Sequence, residues 1–336
     1  MKRSDIEIMA PVGSYESLAA AIRAGADAVY FGVGKLNMRS ASAANFTLDD
    51  LGRIVASARK AGVKTYLTVN TIVYEDEIAD VHAVIDRAKK EGVDAVIASD
   101  MAAILYARRI GQEVHISTQS NISNSEAVRF YAQWADTVVL ARELSLEQVA
   151  AIRRRIVEDD IRGPRGELVE IEMFAHGALC MAYSGRCLLS GYINKRDPNQ
   201  GTCTNACRWE YNVAEGKEDD VGNIVHKYEP IPVQTVEPTL GIGAPTDKVF
   251  MIEEAKRPGE YMTAFEDEHG TYIMNSKDLR AIAHVERLTQ MGVHSLKIEG
   301  RTKSFYYCAR TAQVYRKAID DAAAGKPFDT SLLETL

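Results

Sequence analysis

Three nine-residue stretches decide the fold: AGADAVYFG at 24–32, AGVKTYLTV at 61–69 and EGVDAVIAS at 91–99. Each carries at its second position a glycine that stops a helix, and runs into a short apolar segment rich in β-branched and aromatic residues. A helix-stop glycine feeding a buried strand, repeated along a chain, is the signature of parallel βα units. Working outward, the same alternation covers residues 6–177. Strands are expected at 6–13, 27–34, 63–70, 94–100, 114–121, 136–144 and 169–177. Helices are expected at 14–25, 47–62, 76–92, near 101–111, near 124–134 and at 144–156. Ser14 is placed to cap the first helix, with Glu16 in its first turn. Two further strands, TYIMNS at 271–276 and HSLKIEG at 294–300, and a long helix over 304–324 follow. About eight βα units favour an α/β fold of the (β/α)8, TIM-barrel-like kind over an open doubly wound sheet. No GxGxxG follows the first strand, which removes the dinucleotide-binding version of the open sheet.

The rhythm breaks over residues 208–270, which hold five of the nine prolines (Pro230, Pro232, Pro238, Pro245 and Pro258). This reads as a long irregular insertion with little regular structure beyond short strands, with 1–207 and 271–336 forming the barrel-like catalytic domain. Long loops in compact domains are commonly functional. Its position directly after a cysteine cluster fits a lid.

Composition excludes several classes. With 46% hydrophobic and 26% charged residues, neither disorder nor a membrane class is indicated. No apolar run reaches the ~18–20 residues of a spanning helix, and residues 1–10 lack the apolar stretch of a signal peptide. A cytoplasmic location is expected. The net charge of −7 makes the whole molecule a poor attractant for nucleic acid. Binding would depend on a local patch, and Arg186, Lys195, Arg196 and Arg208 supply one beside the cysteines.

The 336-residue chain has five cysteines, too few for a disulfide framework. None occurs in 1–179. Cys180, Cys187, Cys203 and Cys207 then follow as C-x6-C-x15-C-x3-C, and Cys308 stands alone on the last long helix. This clustering points to one metal site. Thiolates select zinc or iron–sulfur clusters. Structural zinc sites use tighter C-x2–4-C pairs, which only Cys203 and Cys207 resemble, so both metals stay open on spacing. A third reading pairs Cys180 with His176 as a reactive thiol and base. Cys308 reads as a small buried hydrophobe.

Active sites of (β/α)8 barrels lie at the C-terminal ends of the strands. Those positions carry Pro11, Gly13, Asn70, Ser99, Asp100, Gln119, Asn121, Arg142, Glu143, His176, Asn275, Lys277, Asp278, Lys297, Glu299 and Arg301. Ser99, Asp100 and Asn121 are expected to act as helix caps. His176, Lys277, Asp278, Lys297, Glu299 and Arg301 are the candidate catalytic residues. Lys297 and Arg301 are candidates for gripping an anionic co-substrate. Buried ion pairs that brace the barrel are the competing account of the charged groups.

The stretch EMFAHGALCMAYSGRCLLS (172–190) resembles the signature of the collagenase-like peptidases of unknown catalytic type, the U-thirty-two family. GYINKRDPNQGTCTNACRWEY (191–211) and NSKDLRAIAHVERLTQMGVHSLKIEGRTKS (275–304) resemble its other blocks. These later blocks are most similar to the branch that helps form 5-hydroxyuridine at the wobble position of bacterial tRNA. The resemblance implies iron–sulfur-dependent tRNA hydroxylation, in some branches linked to prephenate, with tRNA as partner and an electron-donor protein as a further one. It implies a four-iron (4Fe-4S) cluster on Cys180, Cys187 and Cys203. Many relatives carry a fourth cysteine where Arg280 stands here, leaving Cys207, or else Cys308, as the remaining ligand. It also implies a small β-rich C-terminal domain beyond the barrel, which the present 336 residues would lack. The competing functions are a peptidase, as the family name says, and a scaffold with structural zinc. No HExxH or GxSxG motif supports the peptidase.

Overall fold

The computed structural model describes residues 5–40, 46–209, 211–218, 220, 224–226, 250–254, 258–259, 261–264, 266–267, 270–271 and 278–336. It divides into two units, Met1–Thr204 with Lys277–Leu336, and Asn205–Ser276.

The first unit is a closed parallel barrel. Its strands are β1 (Glu7–Pro11), β2 (Ala28–Gly32), β3 (Lys64–Val69), β4 (Ala95–Ala98), β5 (Glu113–Ile116), β6 (Thr137–Val139) and β7 (Glu170–Ala178). The last barrel strand, Ser295–Ile298, comes much later in the chain and closes the ring between β7 and β1. Helices α1 (Tyr15–Arg23), α2 (Leu51–Lys60), α3 (Ile78–Glu91), α4 (Met101–Arg109), α5 (Ser125–Tyr131) and α6 (Leu146–Glu158) fill the connections between successive strands. A short α7 (Leu189–Asn194) follows β7. The Ser14 side chain accepts from the Ser17 N–H as expected, and Gly92 ends α3 in the left-handed conformation.

The second unit contains β8 (Tyr211–Glu218), β9 (Ile224–His226), β10 (Phe250–Glu254) and β11 (Tyr261–Ala264), an antiparallel sheet in the order β11-β10-β8-β9. Strands β12 (Glu266–Asp267) and β13 (Gly270–Thr271) make a two-residue ladder. The segment expected to be irregular over 208–270 therefore carries sheet structure among its described residues. TYIMNS contributes only Thr271, in β13, and 272–276 lie outside the described residues. The barrel needs only one of the two late strands, because seven are already in place by β7. In the first unit again, β14 (Asp278–Arg280) pairs antiparallel with the end of β7. Then come α8 (Val285–Gln290), the closing strand β15 (Ser295–Ile298), α9 (Phe305–Ala323) and α10 (Ser331–Thr335).

Two cores follow from the period-two alternation of the strands. Ile8, Val29, Phe31, Leu67, Val96, Ile116, Ile171 and Leu296 point outward and pack under the helices. Met9, Ala28, Tyr30, Tyr66, Ala95 and Ile97 form a separate apolar cluster. They share their strand faces with a charged network. Tyr66 donates to Glu7 at 2.8 Å, and Lys297 donates to Glu172 at 2.7 Å. Tyr66 also packs against His115, with ring centroids 4.6 Å apart. No helix among the described residues is long and apolar enough to cross a membrane.

Candidate metal and substrate site

The strand ends bring one group of side chains together at the C-terminal mouth of the barrel. Glu299 follows β15 and is largely buried, its side chain 12% exposed. Arg39, in the loop after β2, grips it through Nε at 3.2 Å and through its terminal nitrogen at 2.9 Å. Burial alone would raise the Glu299 pKa, but Arg39, Arg301 and Arg142 outweigh it and hold the carboxylate below its ordinary range. Arg301 is buried and donates to Asn37 Oδ1 and Thr68 Oγ1, each at 3.0 Å, while its Nε has no hydrogen-bond partner among the described residues. Arg142 lies over the Phe174 ring at 5.3 Å. The mouth therefore holds three guanidiniums around one carboxylate.

The segment 179–204 crosses this mouth, and hydrogen bonds fix it there. The Ser184 N–H and hydroxyl donate to Glu143 at 2.7 and 3.2 Å. Asn199 Nδ2 donates to the Cys187 carbonyl at 3.0 Å, and the Asn199 carbonyl accepts from Ile72 N–H at 3.2 Å. The Ser40 hydroxyl reaches the Gly201 carbonyl at 3.2 Å. Gly185 has φ +73°, and a Cβ there would run into the Gln119 carbonyl. Gly177, at φ +107°, would place a Cβ 2.6 Å from the Glu299 carbonyl.

This segment carries three of the four clustered cysteines. Cys180 is exposed, and Cys187 and Cys203 are half-buried. Burial pushes the Cys187 thiol up, and Cys180 and Cys203 push it further, which places the three within one another's electric field. Arg39 feels Glu299 first and then, with burial opposing, Cys180 and Cys203. Ser190 Oγ donates to Cys203 Sγ at 3.8 Å. Three neighbouring thiols beside a guanidinium form a donor set that fits a thiolate-ligated metal or cluster. Among the described residues no three His, Cys, Asp or Glu side chains converge on a common metal point. Cys207 lies in the second unit, on the short turn Ala206–Arg208. Cys308 is in the barrel core, donating to the Pro11 carbonyl at 3.2 Å, and burial pushes its thiol up to about 12.

The other candidates separate. Lys297 is 4% exposed and committed to Glu172, over the Tyr30 ring at 4.5 Å, so it braces the interior of the barrel. His176 turns its ring toward Tyr307 and Tyr315 of α9, with Nδ1 3.5 Å from the Tyr315 hydroxyl. Burial lowers its pKa below the usual imidazole value. Asp278 is exposed on β14, and Lys277 lies outside the described residues. Arg186, Lys195 and Arg196 are exposed on the cysteine segment, and Arg208 is exposed in the second unit. Of the expected caps, Asp100 accepts from Ala102 N–H. Ser99 instead donates to the Asn70 carbonyl, and Asn121 ends a short turn at φ +52°.

Sequence reading missed Asn37, Arg39 and Asn199. The first two follow the end of β2, where the strand-end rule would have found them. Nothing local marks Asn199, whose role depends on the crossing segment.

Residues 13–336 match the peptidase family U32 profile. The tRNA hydroxylation protein P of Escherichia coli K12 is 63% identical over 333 residues, covering 98% of this chain and 71% of that protein. The protein of the same name from Haemophilus influenzae is 54% identical, again over 98% of this chain and 71% of the relative. A Porphyromonas gingivalis protein called collagenase is 46% identical over 95% of this chain and 67% of its own length. The chain therefore belongs to peptidase family U32.

Proposed function

We propose that this chain hydroxylates tRNA, forming 5-hydroxyuridine at the wobble position with the help of an iron–sulfur cluster. The observation that carries the reading is the 63% identity to a tRNA hydroxylation protein over nearly the whole chain. Cys180, Cys187 and Cys203 would hold a 4Fe-4S cluster; Cys207, the candidate fourth ligand by sequence, belongs to the second unit, and the buried, carbonyl-bonded Cys308 is a poor alternative. When bound, such a cluster supplies electron transfer, fed by an electron-donor protein, or a site for an oxygen-bearing ligand. The chain's own groups do the rest. Arg186, Lys195, Arg196 and Arg208 hold RNA phosphates. Arg142 and Arg301 face an anionic co-substrate such as prephenate, because Lys297 is already neutralised by Glu172. Glu299 keeps Arg39 in place beside the thiols.

The test is the nucleoside profile of tRNA from a deletion strain, restored with the wild-type chain or with Cys180→Ser. Loss of 5-hydroxyuridine that only the wild type restores supports the reading, and an unchanged profile rejects it. Iron and sulfide analysis of anaerobically purified protein tests the cluster, and stoichiometric zinc without iron would favour the structural-zinc scaffold. The collagenase name of one relative keeps a peptidase reading open. The orientation of His176 weighs against it, since the base proposed for Cys180 faces two tyrosines of α9.

A further inference from the structure

A small cleft of about 110 Å³ opens at the barrel mouth, lined by Met38, Asn70, Ile72, Ser99, Asp100, Gln119, Gly185 and Asn199. It is much smaller than the ~300 Å³ and upward of drug-sized pockets, which suits one planar ring rather than a peptide. Most of its polar atoms are already engaged. Asp100 accepts from Ala102 and Val73 N–H groups, and Asn70 bonds Met38 N–H and Ser117. Two sets of atoms remain. The Gln119 carboxamide has no hydrogen bond among the described residues. Asn199 donates its Nδ2 to the Cys187 carbonyl, which fixes the amide orientation and leaves Oδ1 as an acceptor. Met38 and Ile72 supply apolar faces.

We propose that this cleft takes a uracil base swung out of an RNA loop. Asn199 Oδ1 accepts from the ring N3–H, and Gln119 Nε2 donates to a ring carbonyl oxygen. This deepens the tRNA-hydroxylation reading and rests on it. An extruded base is read through hydrogen bonds to its Watson–Crick edge between apolar walls. Uracil presents a donor at N3 between two acceptors, whereas cytosine presents an acceptor at N3 that would face the fixed Asn199 Oδ1. Holding that edge leaves the C5–C6 edge of the ring ungripped. The bond from Asn199 to the Cys187 carbonyl ties the pocket directly to the cysteine segment, and Arg186 follows the pocket-lining Gly185 in sequence.

The test is fluorescence anisotropy with the anaerobically purified full chain and RNA hairpins whose loop carries uridine, 3-methyluridine or cytidine at one position. Wild-type protein should bind the uridine hairpin about tenfold more tightly than the other two, the effect of one or two well-placed hydrogen bonds. Gln119→Leu and the isosteric Gln119→Glu should weaken the uridine hairpin several-fold by losing the bond to the ring carbonyl, while the preference for uridine over 3-methyluridine, set at N3 by Asn199, is kept. Wild-type affinities within about twofold of one another, a uridine affinity unchanged in both variants, or no binding to any hairpin would each overturn the pocket. Failure of the underlying function is read separately, as an unchanged 5-hydroxyuridine content in the deletion strain.

Discussion

Replacing Lys297 by methionine tests whether the interior charges brace the barrel. The pair is 2.7 Å long, with Lys297 4% and Glu172 0% exposed. Burial alone would raise the Glu172 pKa, but Lys297 and then His115 hold it at about 2. Without the ammonium, Glu172 has two courses. It can stay charged beside His115, and breaking a buried pair from one side costs about 3–5 kcal/mol. It can instead take up a proton, which at about pH 7 and an ordinary pKa of 4.5 costs about 1.36 × 2.5, or about 3.4 kcal/mol. Either way the expected loss is about 3 kcal/mol. The sign of its pH dependence follows. In the wild type the depressed pKa contributes stability above pH 4.5, and that contribution is lost only as pH falls toward 2. At about pH 5 proton uptake by the variant costs only about 0.7 kcal/mol, so the gap should shrink to about 1 kcal/mol. Urea unfolding of both proteins, followed by the helical circular dichroism signal at the two pH values, measures it. A gap under about 1 kcal/mol at pH 7, or one unchanged at pH 5, would refute the reasoning.

Three further outcomes follow from the geometry. His115, buried between Glu113 and Glu172, has its pKa raised to about 9, so its contribution is complete below 6.5 and lost as pH rises through 9. Wild-type stability should fall by up to about 3 kcal/mol across that window, and His115→Gln should flatten the fall in urea titrations. On the proposed cluster reading, Cys308→Ala should leave iron content unchanged while lowering stability by about 1 kcal/mol, whereas Cys180→Ser, Cys187→Ser or Cys203→Ser should strip the iron; metal analysis with thermal melts separates them. Alanine at Arg186, Lys195 and Arg196 together should weaken RNA binding and flatten the slope of log affinity against log salt by about 2, at roughly 0.7 per phosphate contact for single strands.

The barrel was legible from residues 24–99 alone, because glycine stops and β-branched runs act locally and recur with each βα unit. The cysteine cluster was legible for a similar reason: thiol chemistry is confined to one residue type, and its spacing stands out in a chain otherwise poor in it. Partnership was not legible. Lys297 and Glu299 sit two residues apart at a strand end and look alike in sequence. The alternation of β15 sets both on the barrel's inner side at different depths, so one neutralises Glu172 and the other anchors Arg39, 260 residues away in the chain. His176 precedes Cys180 by four residues, yet its ring packs on α9 where the β7–β15 register shifts. The sequence by itself determined the repeating unit, the thiol set and the family, since each is written in neighbouring residues. Which charges meet, which cysteine is buried and which amides stay open were decided only by closure of the barrel, because a ring of eight strands brings together groups that no local pattern relates.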